Sequence, residues 1–141
     1  MKKNKIGYTT GVFDLFHIGH LNILRRAKEQ CDYLIVGVST DELVESYKNK
    51  KPIIPYEERR SIVEAIRYVD EVVPQTSLDK CEALERIGFD ILFHGSDWKD
   101  SPLFLKAEQE FKKIGVDIVF FPYTQCTSST LLTDVLKKEI S

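Results

Sequence analysis

Two histidines flank a glycine in His17-Ile-Gly-His20, directly after the stretch Thr10-Gly-Val-Phe-Asp-Leu-Phe16. A spacing of three puts both imidazoles on one side of a helix that begins near Ile18. A helix N-terminus carries unpaired N–H groups and about half a positive charge, so it attracts phosphate. Gly19 removes a side chain where a ligand's oxygens would approach the backbone. Two imidazole donors added there make a trap for a phosphate whose charge grows during reaction. The bland alternative is a pair of solvated or internally satisfied histidines, and a metal pair would prefer i, i+4 spacing. Of the chain's three histidines only His94 lies elsewhere, which favours the trap.

Other residues offer charge or hydroxyls. Lys48-Asn-Lys-Lys-Pro52 is a dense cationic loop, suited to the outer phosphates of a triphosphate or simply solvated. Arg59 and Arg67 lie eight apart in an expected helix, so both can project from similar faces. Arg59 falls among apolar positions, where its charge must be paired or face a ligand. An anion contact and a structural pair with Asp70, Glu58 or Glu64 are equal alternatives for each arginine. Asp14 can cap a turn or help hold a metal-bound triphosphate. Thr127-Ser-Ser-Thr130 reads as an N-cap before a last helix over about 129–138, or as a second set of phosphate donors.

These residues need a scaffold, and the patterning supplies one. Short β-branched or aromatic runs over 6–10, 33–38, 69–74, 91–93 and 116–121 read as buried strands. Between them, Ile18, Leu21, Leu24 and Ala27 share one side of a helix. Arg59, Ile62, Val63 and Ile66 do the same, as do Leu103, Ala107, Phe111 and Ile114. Arg86-Ile-Gly and Lys113-Ile-Gly each put a cation in a last helical turn and glycine at the left-handed position after it. Alternating strands and helices predict a Rossmann-like, doubly wound α/β domain over 1–141, with a parallel five-stranded sheet covered on both faces. Ligands of such sheets sit at the carboxyl ends of the strands, here around 11–20, 39–51, 94–98 and 122–130.

Bulk properties narrow the class. A chain of 141 residues supports one core, and a net charge of −2 argues against a general nucleic-acid binder. No apolar run approaches the roughly 20 residues of a membrane span, so a soluble, cytoplasmic protein is expected. Cys31, Cys81 and Cys126 are far apart and read as reduced structural thiols.

The segment around His17 resembles the H-x-G-H signature of the nucleotidyltransferase superfamily, and the chain is similar to bacterial glycerol-3-phosphate cytidylyltransferases over nearly its whole length. The similarity includes Val38-Ser-Thr-Asp-Glu42, Tyr56-Glu-Glu-Arg59, Ile66-Arg-Tyr-Val-Asp-Glu-Val72 and Gly95-Ser-Asp-Trp98. It implies transfer of CMP from CTP to a small phospho-alcohol, with Mg²⁺ accompanying the CTP and a homodimeric enzyme. It assigns His17, His20, Lys48, Lys50 and Arg59 to catalysis, and Asp14 to the metal as well. Nucleotide contacts fall on Gly11, Val12, Phe13, Asp14, Gly19 and Asp97, and on Thr124, Thr127, Ser128, Ser129 and Thr130. Lys48, Arg67, Lys80 and Tyr123 are assigned to the acceptor. The sequence departs from the family pattern at Tyr123 (for arginine), Gln125 (for glutamate), Cys126 (for glycine), Val12 (for threonine) and Leu78 (for an aromatic residue). Alternatives are another acceptor such as phosphocholine or phosphoethanolamine, an adenylyltransferase using ATP, and a nucleotide sensor without turnover.

Overall fold

A computed structural model describes residues 5–95 and 101–122. Its strands are β1 (Ile6–Gly11), β2 (Tyr33–Ser39), β3 (Glu71–Gln75), β4 (Ile91–Gly95) and β5 (Asp117–Phe121). The helices are α1 (Ile18–Glu29), α2 (Asp41–Lys48), α3 (Tyr56–Glu64), α4 (Lys80–Ile87) and α5 (Pro102–Ile114). All strand pairings are parallel, in the order β3-β2-β1-β4-β5. The chain winds outward from β1 to β3, then returns to β1's other side with β4. That reversal leaves a crevice outside the carboxyl ends of β1 and β4, where such sheets bind ligands. The doubly wound, five-stranded sheet read from the sequence is therefore present.

Alternation along each strand makes two cores. Leu34, Val36 and Val38 of β2 face Leu24 and Ala27 of α1 and Val63 of α3. Ile35 joins Tyr8, Leu92 and the aromatic rings of Phe89, Phe104 and Phe111 on the opposite face. Period-two strands between helices on both sides require this arrangement. Gly88 (φ 75°) and Gly115 (φ 77°) end α4 and α5 in the left-handed conformation that their sequence context predicts.

Two expectations change. α2 carries no apolar pattern strong enough to mark it, yet Thr40 caps it by accepting from the Leu43 amide at 3.2 Å. α3 ends at Glu64, so Arg59 and Arg67 do not share a helix. Arg67 lies exposed in the turn before β3, at the amino ends of the strands. Cys31 and Cys81 are free, half-buried thiols, with Cys31 Sγ donating to the Ala27 carbonyl at 3.3 Å. Among the described residues, no helix is long and apolar enough to cross a membrane.

Candidate active site

The loop from Val12 to His17 delivers the histidines. Phe13 (φ 54°) and Leu15 (φ 49°) both adopt left-handed backbone that side-chain-bearing residues seldom occupy. Strain of about 1–3 kcal/mol per such residue persists only where the surroundings enforce it. Here Phe13 is buried beneath the loop, stacked on Phe16 with centroids 6.2 Å apart. A Cβ on Gly11 would come within 3.0 Å of the Phe13 ring, so glycine there leaves the ring room to pack back against the strand end.

The histidines then cap each other's helix. His17 is the N-cap of α1 and its Nδ1 accepts from the Gly19 amide at 3.0 Å. The His20 Nδ1 accepts from the His17 amide at 3.2 Å, completing a reciprocal capping box. The rings stack with centroids 4.0 Å apart, and Phe13 and Phe16 enclose His20 at 5.4 and 5.2 Å. Because both Nδ1 atoms accept hydrogen bonds, each ring carries its proton on Nε2. Burial pushes the His20 pKa down to about 3, helped by His17, and burial also lowers His17. Two neutral imidazoles therefore hold Nε2–H donors at the positive end of α1.

Asp14 ties this loop to the lysine segment. Its Oδ2 accepts from the Ile53 amide at 2.8 Å and its Oδ1 from Ile54 at 2.9 Å. Each oxygen of this carboxylate thus accepts one amide, which fixes the side chain between the two segments. No group of three or more His, Cys, Asp or Glu among the described residues is arranged to hold a metal. Lys48 ends α2 and Asn49 (φ 61°) turns the chain, leaving Lys48 and Lys50 exposed at this rim.

Arg59 has a different office from the anion contact expected of it. Its side chain is fully buried and pairs with Asp41, Nη2 to Oδ1, at 2.6 Å. Its remaining donors reach carbonyls at 2.7 Å: Nε to Ile54, and Nη1 to both Val12 and Ser39. Four of five N–H groups are thereby spent inside the protein. The guanidinium ties together the ends of β1 and β2 and the start of α3. Its partner is Asp41, not Asp70, Glu58 or Glu64.

Beside Gly11 and Val12 opens a pocket enclosing about 130 Å³ at the carboxyl ends of four strands. Ser39, Gln75 and His94 line it from β2, β3 and β4, with Tyr47 and Lys48 from α2. Leu78 and Lys80 close one side and Leu103 and Phe104 another. Lys80 is buried there, its Nζ donating to Thr10 Oγ1 at 2.8 Å, and burial brings its pKa down to about 8. His94 is half-buried, its Nδ1 accepting from the Gly95 amide at 3.0 Å, and desolvation together with the nearby Lys80 lowers its pKa to about 3.

The structure thus gathers Gly11, Val12, Lys48 and Lys80 around one pocket, next to the loop bearing Asp14, His17 and His20. Arg67, at the amino ends of the strands, does not line that pocket. Asp97, Tyr123, Thr124, Cys126, Thr127, Ser128, Ser129 and Thr130 lie outside the described residues, as do Trp98 and the last expected helix. His94 opens the 94–98 segment expected at the site, whereas Gln75 is not anticipated, because the end of β3 is not among the expected segments.

A parallel sheet whose crevice holds an imidazole-capped helix and a cationic rim defines a nucleotidyltransferase. Residues 8–135 match the cytidylyltransferase-like family model, and the chain belongs to that family. It is 37% identical over 129 residues to a glycerol-3-phosphate cytidylyltransferase of Staphylococcus aureus, covering 91% of this chain and 92% of that protein. It is 34% identical over 139 residues to an FAD synthase of Thermococcus sibiricus, covering 97% and 94%. A crystal structure of a lipopolysaccharide core biosynthesis protein from Thermoplasma volcanium superposes with a TM-score of 0.73 at 25% identity, covering 89% of this chain and all of that one.

Proposed function

We propose that this enzyme transfers CMP from CTP to a small phosphorylated alcohol, glycerol 3-phosphate first among them, releasing pyrophosphate. The observation that carries the reading is the reciprocal His17–His20 cap, with two neutral Nε2–H donors at one helix N-terminus. An oxygen of the acceptor's phosphate attacks the α-phosphorus of CTP, and the bond from that phosphorus to the bridging oxygen breaks. A phosphate monoester has its second pKa near 6, so the nucleophile is already dianionic and needs no base. Catalysis then consists of aligning two repelling anions and neutralising the charge that develops between them. His17 and His20 donate to the α-phosphoryl oxygens, while Lys48 and Lys50 draw off the pyrophosphate. Mg²⁺ would accompany the nucleotide substrate and offset the charge of its phosphates.

The pocket beside Gly11 takes the acceptor. Its volume suits a phospho-alcohol better than a multi-ring flavin, since sites for larger ligands run to about 300–1,000 Å³. The similarity to an FAD synthase nonetheless makes adenylyl transfer from ATP the second reading. A pyrophosphate-release screen crossing the four nucleoside triphosphates with phosphorylated alcohols and FMN separates the two. CTP with a phospho-alcohol should give the highest kcat/KM, and ATP with FMN prevailing would overturn the assignment. The homodimer implied by resemblance is checked by sedimentation.

A further inference from the structure

The backbone between Gly11 and His17 enters the left-handed region twice, at Phe13 (φ 54°) and at Leu15 (φ 49°), with Asp14 between them. Asparagine, aspartate and histidine visit that region several-fold more often than other residues with side chains, and leucine is not among them. At Phe13 the burial of the ring in the core beneath α1 offsets the cost. Leu15 gains nothing comparable, because it is half-buried and belongs to neither of the two hydrophobic cores. Its conformation is therefore imposed by its neighbours, as strained backbone at a functional loop requires.

Those neighbours are fixed to separate parts of the fold. Asp14 is held by the amides of Ile53 and Ile54. The Phe16 ring stacks on Phe13 and lies 5.2 Å from that of His20. His17, one residue further, is locked as the N-cap by the Gly19 amide and by its own bond to His20. Leu15 is the turn that joins these anchors. Carrying it to the ordinary negative φ range is a rotation of about 110° or more, with only Phe16 between it and His17. Such a rotation breaks either the Asp14 bonds or the cap.

We propose that Leu15 is a positioning residue: its left-handed backbone, and not its side chain, aims the His17–His20 pair. This rests on reading that pair as the donors that face the nucleotide's phosphate. The consequence runs against ordinary substitution logic. Isoleucine keeps the volume and the apolar character of leucine, yet its branched Cβ resists positive φ. Asparagine shares neither property and enters the left-handed region readily.

The experiment measures pyrophosphate release from CTP and glycerol 3-phosphate by the full chain, with folding of each variant verified by circular dichroism. Leu15→Ile should lose about 100-fold in kcat, the usual effect of a misplacement near 1 Å, with the KM for CTP within about twofold because the lost contact belongs to the transition state. Leu15→Asn should keep kcat within about threefold, and Leu15→Gly, which removes the side chain but leaves the conformation open, within about tenfold. The reverse order, with isoleucine active and the other two slow, would place the role in the side chain and overturn the proposal. Equal activity in all three overturns it as well. Should Leu15→Ile not fold, the other two variants decide: a loss beyond these limits in either one refutes the assignment. A readout independent of turnover is the tautomer of each imidazole by nitrogen NMR. Both rings should carry the proton on Nε2 in wild type and in Leu15→Asn, and the two tautomers should mix in Leu15→Ile. If wild type releases no pyrophosphate with any nucleotide and acceptor, CMP transfer is refuted and the tautomers alone judge Leu15, an unchanged state in Leu15→Ile counting against it.

Discussion

Arg59 and Asp41 form a buried-to-surface ion pair at 2.6 Å, with the arginine side chain wholly enclosed and the aspartate 29% exposed. Around it, carbonyls of Val12, Ser39 and Ile54 converge on one guanidinium. Three segments that frame the crevice therefore share one tether.

Removing that tether should be a stability lesion first. Arg59→Ala strips donors from three carbonyls and leaves Asp41 without its cation, so a loss of about 3–5 kcal/mol is expected in urea unfolding. Arg59→Lys should recover little of it, because one ammonium cannot reproduce the planar fork. A lysine variant as stable as the parent would refute the clamp.

The histidines separate capping from catalysis. His17→Ala and His20→Ala should each reduce kcat by about 10²–10³. His17→Ala should also lose about 1 kcal/mol, since the N-cap acceptor disappears. Asparagine is a good N-cap, so His17→Asn should regain the stability and remain slow. Thermal melts beside steady-state rates show whether the two effects divide in this way.

Asp14→Ala deletes both acceptors for the Ile53 and Ile54 amides. Hydrogen exchange at those two amides should accelerate, and kcat/KM for CTP should fall by about tenfold or more as the lysine rim loses its placement. Unchanged exchange would show that the loop is held by other means.

Stability should depend on pH through Lys80. Burial depresses its folded pKa from 10.5 to about 8, so between those values the unfolded chain binds more protons than the native one. Stability contributed by this group therefore rises with pH across that window, by about 3 kcal/mol in full. Other groups titrate there too, including Tyr8, whose pKa burial raises to about 12. The difference between wild type and Lys80→Met isolates the lysine: the stability of wild type relative to the variant should rise from pH 8 towards 10, measured by chemical denaturation at each pH.

Much of the architecture was legible because it rests on local signals. Gly88 and Gly115 stop their helices where a cation and a glycine announce it, and Leu34, Val36 and Val38 alternate as a strand must. The imidazole pair was legible for the same reason: three residues of spacing fix a face. Arg59 was readable as a charge at an apolar position, but its partner lies 18 residues away on a helix with no strong pattern. The pocket was harder still. Lys80, Gln75 and Ser39 are ordinary polar residues until strand order brings them together, and Lys80 meets Thr10 across 70 residues of chain.

By accepting from the Ile53 and Ile54 amides, Asp14 joins the loop that carries the imidazole pair to the segment that follows the lysines. The two are hinged as one piece, so a shift of either is felt by the other.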